Sequence, residues 1–177
     1  IESNQLKKVF NDITSENTFI ASWTTTPWTI PSNKAICFNS KFKYELIELK
    51  SKGKIFNLVI CSDLIEDTLE RYELENYTKL GSTTGDKLSD LICSHPFLDQ
   101  KSPLISGDHV TAEMGTGFVH TAPAHGLEDY EACKELEIDL TSPVKADGKF
   151  KEDISRYQKC IEDLGQMPEL NERPENP

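Results

Sequence analysis

WTTTPWTIPSN, residues 23–33, is the stretch that decides how the first half of this chain folds. Three successive threonines end a β-branched run and are stopped by Pro27, which has no N–H to continue a strand. Several hydroxyls and backbone N–H groups therefore meet at one strand edge. For any single residue of the run, the ordinary interpretation is a strand end with Trp23 and Trp28 as core aromatics.

Short strands are predicted on both sides of that stretch, because β-branched and aromatic runs alternate with turn residues. A helix is predicted to follow from Ser62 as its N-cap, since Ile65, Leu69 and Tyr72 share one helical face. A turn-rich stretch comes next, at residues 81–85. The predicted strands are residues 18–24, 35–38, 43–49, 54–60, a run near 109–114 (HVTAEM) and 118–122, with a loop over 94–103 (SHPFLDQKSP).

A second unusual stretch, GTGFVHTAPAHGLEDY, occupies residues 115–130. A Gly-x-Gly turn leads into a strand that carries His120. A helix is predicted over residues 127–136, which puts Asp129 in a first turn where the helix dipole favours a carboxylate. Each feature alone has an ordinary explanation, because such turns, strand histidines and capping aspartates are common in purely structural roles.

The composition indicates a folded globular protein, with 37% hydrophobic and 28% charged residues and no apolar run long enough to cross a bilayer. Nineteen basic against thirty acidic residues give a net charge of -11, which argues against autonomous binding of nucleic acid. The five cysteines lie far apart without metal-ligand spacing, so we predict reduced thiols packed as small hydrophobic side chains. Because the chain begins with Ile1 rather than Met, we expect a piece of a longer protein.

Together the two stretches closely resemble the editing domain inserted in the catalytic core of isoleucyl-tRNA synthetases of the bacterial and organellar type. The resemblance rests on WTTTPWT followed by PSN, then GDHVT, GTGxVHTAPxHGxEDY and a following DGxF. The related valyl and leucyl enzymes carry Arg-Pro after the threonines, where this chain has Pro27 and Trp28. The resemblance covers residues 18–150 and implies a β-rich α+β fold, a small closed β-barrel with helices packed around it. We predict one editing domain over 1–150 and a divergent acidic tail, partly helical or disordered, over 151–177.

The resemblance implies hydrolysis of valine esterified to the 3′ end of an isoleucine tRNA. Valine becomes attached to this tRNA because a synthetic pocket built for isoleucine cannot exclude the smaller valine. This enzyme family is itself the standard example of how weakly a pocket discriminates against a side chain that lacks one methylene. The ester presents a free ammonium, and Asp129 matches the family's aspartate that receives it. His120 matches the family's histidine that lines the pocket against isoleucine, and whether it also acts as a base is left open.

The three threonines are assigned to holding a water and stabilising the oxyanion rather than to attack, because they have no adjacent N-terminal amine or base. The resemblance also places Trp28 near the terminal adenosine or acyl group. No HIGH-like or KMSKS-like motif occurs, so aminoacylation by this chain alone is not expected. The catalytic set is Thr24, Thr25, Thr26, His120 and Asp129, and the substrate-binding set is Trp28, Gly115, Thr116, Gly117 and His125.

Three alternatives compete with this interpretation. His120, His125 and Asp129 suggest the ligands of a metal hydrolase, but the HExxH pattern is absent. Cys133 is a weak candidate nucleophile, and a third alternative is a non-catalytic remnant that only binds the tRNA 3′ end. The resemblance implies no cofactor and no metal, and it implies two partners, mischarged tRNA and the rest of the synthetase. We expect a monomer, away from membranes, in a bacterial cytoplasm, a mitochondrion or a plastid.

Overall fold

Two four-stranded sheets and three short α-helices form the part of the chain that this computed structural model describes, residues 1–11, 17–74, 76–96, 98–149 and 151. The helices are α1 (Ser3–Val9), α2 (Ile65–Arg71) and α3 (Leu127–Glu135). The strands are β1 (Thr18–Ile20), β2 (Ala35–Phe38), β3 (Lys43–Ser51), β4 (Lys54–Cys61), β5 (Tyr77–Thr84), β6 (Ile92–Ser94), β7 (Lys101–Ser106) and β8 (Phe118–Thr121). The first sheet has the strand order β1-β4-β3-β5, and the second has the order β6-β7-β2-β8.

The hairpin of β3 and β4 organises the first sheet. Ser51 pairs with Lys54 across a two-residue turn, Lys52-Gly53, in which both residues have positive φ, 48° and 77°. That backbone matches the twist of the two strands it connects, and Gly53 adopts it without steric cost. Tyr44, at the start of β3, is fully buried, and its hydroxyl donates to the Gly117 carbonyl at 3.0 Å. The hairpin therefore packs directly against the turn that precedes β8.

The two sheets meet at Trp23, which lies three residues beyond the end of β1. Trp23 forms a parallel bridge with Val119 of β8. Its N–H donates to the Phe118 carbonyl at 2.7 Å, and its own carbonyl accepts the N–H of His120 at 3.0 Å. The chain thus leaves the first sheet after Ile20 and joins the second sheet at Trp23. This junction, called the seam below, carries both unusual sequence stretches.

Most of the predicted strands in the first half are confirmed, but three differences are instructive. The strand predicted over 18–24 is shorter, because β1 ends at Ile20 and Trp23 changes sheets. The strand predicted near 109–114 is wrong, since those residues form turns. The real strand is β7, which begins inside the predicted loop over 94–103 and contains Pro103.

Both helices predicted before residue 150 are present as α2 and α3, but the predicted start of α2 and the predicted burial of one of its residues are wrong. Residues 62–64 form a 3₁₀ turn, and α2 begins only at Ile65, while the Ser62 hydroxyl donates to the Glu45 carboxylate and not to the helix. Ile65 and Leu69 are buried as predicted. Tyr72 lies beyond the end of α2 and is exposed, so its placement on the buried face is wrong. In α3, Asp129 does lie in the first turn.

The β-rich α+β class is confirmed by these sheets and helices. The strand pairs join as two open sheets linked at the seam, so closure into a complete barrel stays a prediction. The boundary at residue 150 also stays a prediction, and the helix and tail predicted over 151–177 lie outside the described residues except for Lys151. Among the helices described, none combines the length and the hydrophobicity that crossing a membrane would require.

Candidate functional site

A cavity of about 220 Å³ opens at the seam between the two sheets. We call it the threonine cavity, and it is lined by Trp23, Thr24, Thr25, Thr26, Thr29, Val119, His120, Ala122, His125, Gly126 and Asp129. All five residues predicted to be catalytic are in this lining, together with one predicted to bind substrate, His125. The lining comes from the two sequence stretches alone, because the Trp23–Val119 bridge holds them side by side.

The threonine segment folds back on itself through its own hydroxyls. The Thr24 hydroxyl accepts the N–H of Thr26 at 3.0 Å, and a 3₁₀ turn then runs from Pro27 to Ser32. Thr26 accepts at its carbonyl both the N–H and the hydroxyl of Thr29, at 2.9 and 2.8 Å. The exposed Thr25 hydroxyl has no hydrogen-bond partner within the described part of the chain, so it is available to a ligand or a water.

His120 is buried, and the hydrogen bonds around it define its tautomer. The Asn33 amide nitrogen lies 2.8 Å from the Ala35 carbonyl and 2.8 Å from His120 Nδ1. Because the carbonyl only accepts, that atom is the donating NH2, and Nδ1 must be the acceptor. The proton is therefore on Nε2, which donates to the Thr29 hydroxyl at 3.1 Å. That hydroxyl is free to accept because its own proton goes to the Thr26 carbonyl.

The electrostatic surroundings keep His120 neutral. Burial lowers the pKa of His120 below its ordinary value, and the negative charge of Asp129 opposes that effect only in part. With Nδ1 accepting from Asn33 and Nε2–H donating to Thr29, both ring nitrogens are occupied. The imidazole therefore forms a rigid wall of the cavity and has no lone pair directed at a proton to be abstracted.

Asp129 presents half of its carboxylate to the cavity. Its Oδ2 accepts the N–H of Ala122 at 2.8 Å, which ties the start of α3 to the end of β8. The other carboxylate oxygen has no hydrogen-bond partner among the residues described. Gly126 leaves room for this arrangement, because a Cβ there would lie 3.3 Å from the carboxylate. One anionic oxygen is thus available at the edge of the cavity to receive a cation.

His125 is fixed by a residue that the sequence did not single out. The buried hydroxyl of Ser32 lies 2.8 Å from His125 Nε2, and the His125 N–H donates to the Ala122 carbonyl at 2.9 Å. Ser32 closes the 3₁₀ turn that begins at Pro27. This contact joins the two stretches a second time, on the exposed side of the cavity.

The other predicted binding residues lie outside the cavity. Trp28 is 69% exposed on the 3₁₀ turn, so the ordinary interpretation of it as a core aromatic is wrong. Gly115, with φ of 87°, packs under Trp23, where a Cβ would come within 2.8 Å of the indole. Thr116 is buried and donates to the Ala21 carbonyl, and a Cβ at Gly117 would lie 2.3 Å from that of Cys61. The Gly-Thr-Gly turn therefore packs against the residues that form the seam and does not line the cavity.

Thr29 and Asn33 contact His120 directly, although neither was among the predicted site residues. Each is more than 90% buried and hydrogen-bonds to His120 from the opposite stretch. The amide oxygen of Asn33 also has a partner, because the hydroxyl of Ser102 in β7 donates to it at 2.6 Å. No local sequence signal points to these contacts, because the burial of Asn33 and its approach to His120 arise only in the folded chain.

A second cavity, of about 460 Å³, lies on another side of His120. We call it the rear cavity, and it is lined by Ile1, Thr18, Phe19, Ile20, Ser22, Ile30, Asn33, Ile36, Cys93, Ser94, His95, Pro96, Ser102 and His120. His120 is the one residue that lines both this cavity and the threonine cavity. His120 therefore lies between a small space that holds hydroxyls and a carboxylate and a larger, mostly apolar one.

The metal and cysteine alternatives find little support in this geometry. Within residues 1–11, 17–74, 76–96, 98–149 and 151, no three His, Cys, Asp or Glu side chains are close enough together to hold a metal ion. The Nδ1 and Nε2 atoms of His120 are engaged by Asn33 and Thr29. Cys133 is buried in α3, and burial raises its pKa to about 11, so its thiol is not a ready nucleophile.

Known proteins match this chain in sequence and in fold. A family model described as "Leucyl-tRNA synthetase, editing domain" matches residues 33–173. An isoleucine–tRNA ligase of Neisseria meningitidis serogroup C is 48% identical over 139 residues, which are 78% of this chain and 14% of that enzyme. One from Francisella tularensis subsp. novicida is 40% identical over 157 residues, 88% of this chain and 16% of that enzyme.

Solved structures agree in fold. The editing domain of the Plasmodium falciparum cytosolic leucyl-tRNA synthetase superimposes with a TM-score of 0.58 over 75% of this chain and 56% of that one, at 12% identity. The GlLeuRS-CP1 crystal structure gives 0.57 over 68% of this chain and 46% of that one, at 14% identity. At such identities the likeness speaks for the fold alone.

The chain therefore belongs to the class of editing domains that aminoacyl-tRNA synthetases carry. Within that class it belongs to the isoleucine–tRNA ligase family, since relatives at 40% and 48% identity bear that name. The chain spans 14% of the length of the Neisseria relative. The family match also runs past residue 150 to residue 173.

Proposed function

We propose that this chain hydrolyses the ester of valine with the 3′ end of an isoleucine tRNA. The observation that carries the proposal is the threonine cavity, which combines one free carboxylate oxygen, several hydroxyls and a neutral imidazole wall in about 220 Å³. Typical ligand sites enclose roughly 300–1,000 Å³. A space of this size suits an aminoacyl group and a water, and not a whole nucleotide.

Each wall of the cavity has a distinct task in this reaction. The free oxygen of Asp129 receives the ammonium of the aminoacyl group, which fixes the ester carbonyl relative to the threonines. The hydroxyls of Thr24, Thr25 and Thr26 hold the attacking water and stabilise the oxyanion as it forms. Orientation supplies much of the acceleration, because an ester is already reactive and the cavity holds both reactants together.

His120 acts as a wall in this proposal and not as a general base. Its tautomer is fixed by Asn33 and Thr29, its pKa is lowered by burial, and neither ring nitrogen is free to accept a proton from water. The imidazole limits the depth of the cavity, so a side chain longer than that of valine meets it. Selection against isoleucine is then a steric property of His120.

The proposed partners follow from the size of the relatives. Because the chain corresponds to a small part of an isoleucine–tRNA ligase, the remainder of such an enzyme would present the tRNA. The net charge of -11 supports that division of labour, since the domain alone has little attraction for phosphate. We also propose that the domain functions as a monomer in the cytoplasm or in an organelle.

Hydrolysis of Val-tRNA and Ile-tRNA, both of the isoleucine acceptor, tests the proposal directly. At high protein concentration the chain should release valine and leave the isoleucine ester intact. The matched variants are Asp129→Asn, which removes the charge at the cavity, and Glu128→Gln, which removes a charge from the exposed neighbour. Binding of the tRNA end without turnover by the wild type would favour a non-catalytic role instead.

A further inference from the structure

Arg71, the last residue of α2, places a positive charge at the rim of the threonine cavity. Its guanidinium carbon lies 5.0 Å from the centroid of the Trp23 ring, and Trp23 lines the cavity. Arg71 is exposed, and within the described part of the chain no carboxylate forms an ion pair with it. The guanidinium thus has a defined position and unused hydrogen-bond donors.

The position of Arg71 is held by two further contacts. Thr68 precedes Arg71 by three residues, so both side chains lie on one face of α2. The Thr68 hydroxyl donates to the Gly115 carbonyl at 3.1 Å, and Gly115 packs against the Cβ and Cγ atoms of Trp23. The helix, the Gly-Thr-Gly turn and the indole therefore form one unit that carries the guanidinium to the cavity.

We propose that Arg71 binds a phosphodiester of the nucleotide chain whose terminal ester enters the threonine cavity, an inference that rests on the proposed function. The cavity encloses about 220 Å³, so the ribose and the phosphodiester next to it stay at the rim. A guanidinium that lies over an indole ring has N–H groups left for another ligand, and their planar fork matches two phosphate oxygens.

The charge around the rim makes this position selective. The chain carries a net charge of -11, and α2 itself contributes Glu66, Asp67 and Glu70 near Arg71. A phosphate approaching such a surface is repelled except where a cation faces it. A comparable pair exists on α3, where the Lys134 ammonium lies 5.7 Å from the Tyr130 ring, but Tyr130 does not line the cavity. Lys134 is therefore the matched control.

Two non-hydrolysable probes separate the phosphate from the rest of the ligand. The first is adenosine with valine linked to its 3′ position through an amide, and it has no phosphate. The second is the same group at the end of a cytidine-cytidine-adenosine trinucleotide. Binding of both to this chain is measured by titration at several salt concentrations for the wild type, Arg71→Gln, Arg71→Lys and Lys134→Gln.

Arg71→Gln should weaken binding of the trinucleotide about tenfold and leave binding of the nucleoside unchanged. The dependence of log K on log salt for the trinucleotide should become shallower by about 0.7. Arg71→Lys should restore part of the affinity, because the charge returns without the fork.

Three results would overturn the role of Arg71: equal loss for both probes, no loss for either, or the same loss with Lys134→Gln. A wild type that binds the two probes equally would overturn it as well. Failure of the proposed function looks different, because the wild type would then leave the valine ester of tRNA intact while the contrast between the two probes persisted.

Discussion

The two cavities that meet at His120 differ in size and in chemistry, and the smaller one is lined by all five residues that were predicted to be catalytic. The rear cavity encloses about 460 Å³, has a mostly apolar surface to which four isoleucines and Phe19 contribute, and has no carboxylate in its lining. The threonine cavity encloses about half of that volume and contains Asp129 and four threonines. His120 is the one residue that borders both cavities, so its side chain is the wall whose removal should join them.

The largest effect is expected from the polar side. Asp129→Asn should lower hydrolysis of the valine ester by about 10²-fold, because the ammonium loses its charged partner and the ester loses its orientation. The amide oxygen of asparagine still accepts the N–H of Ala122, so the start of α3 should remain in place. Rates at saturating protein measure the effect, with Glu128→Gln as the control. Near-wild-type hydrolysis by Asp129→Asn would remove the carboxylate from the mechanism.

The second prediction concerns removal of the His120 side chain, the wall between the two cavities. His120→Ala should connect the threonine cavity to the rear cavity and let the site hydrolyse the isoleucine ester, with selectivity lowered about tenfold or more. Cys93→Ala is the matched control, because Cys93 lines only the rear cavity and its truncation leaves the wall intact.

The ratio of the two hydrolysis rates is the measurement for both variants, and urea unfolding shows that each is folded at the assay temperature. Retained selectivity in His120→Ala would show that another residue excludes isoleucine. Lost selectivity in Cys93→Ala would show that the rear cavity affects the site without being opened to it.

The third prediction concerns the support of the wall. Thr29→Val should lower the free energy of unfolding by about 1–3 kcal/mol, because the buried Nε2–H of His120 loses its acceptor. Hydrolysis of the valine ester should fall several-fold as the ring loses its fixed orientation. Thr29→Ser keeps the hydroxyl and should behave like the wild type. Equal stability of the valine and serine variants in urea would show that the hydrogen bond between Thr29 and His120 does not stabilise the fold.

The smallest effect is expected in acid. Burial lowers the pKa of both His120 and His95 below the ordinary value of about 6.5, so under mildly acidic conditions the unfolded chain binds more protons than the folded one. The free energy of unfolding should be fully retained above about pH 6.5 and should decrease as the pH falls through the folded-state pKa values, by at most about 1.4 kcal/mol per unit for each histidine.

Urea unfolding between about pH 7 and pH 5 measures this decrease. His120→Gln should show a shallower dependence, since one of the two groups is gone. An unchanged slope in that variant would show that His120 does not titrate differently in the two states.

The sequence predicted which residues line the threonine cavity better than it predicted the sheets. The lining of the threonine cavity comes from two continuous stretches, so their local motifs already contained Asp129, His120 and the threonines. The hydrogen bonds that hold His120 were not predictable in the same way. Their partners, Thr29 and Asn33, lie 91 and 87 residues before it in the sequence and come close only in the folded chain.

Three strands were missed, β5, β6 and β7, and for β5 and β7 the reason is identifiable. Gly81 was taken as a turn signal, but β5 passes through it at an irregularity in its pairing with β3, and glycine is typical of such bulges. Residues 94–103 were predicted to form a loop, yet β7 begins within them and places Pro103 opposite Ile92 of the short strand β6. In both cases the pairing partner, which lies elsewhere in the chain, overrides a local preference.

The position of the threonine cavity at the seam has a consequence for how the molecule opens. The hydrogen bonds that Trp23 makes with Phe118 and His120 join the two sheets and also hold the cavity walls together. A fluctuation that separates the sheets there would dismantle the cavity while β3 and β4 stay paired, because subglobal openings follow contiguous structural units. The amide protons of Trp23 and His120 should then exchange with solvent together, and a ligand that spans the cavity should protect both at once.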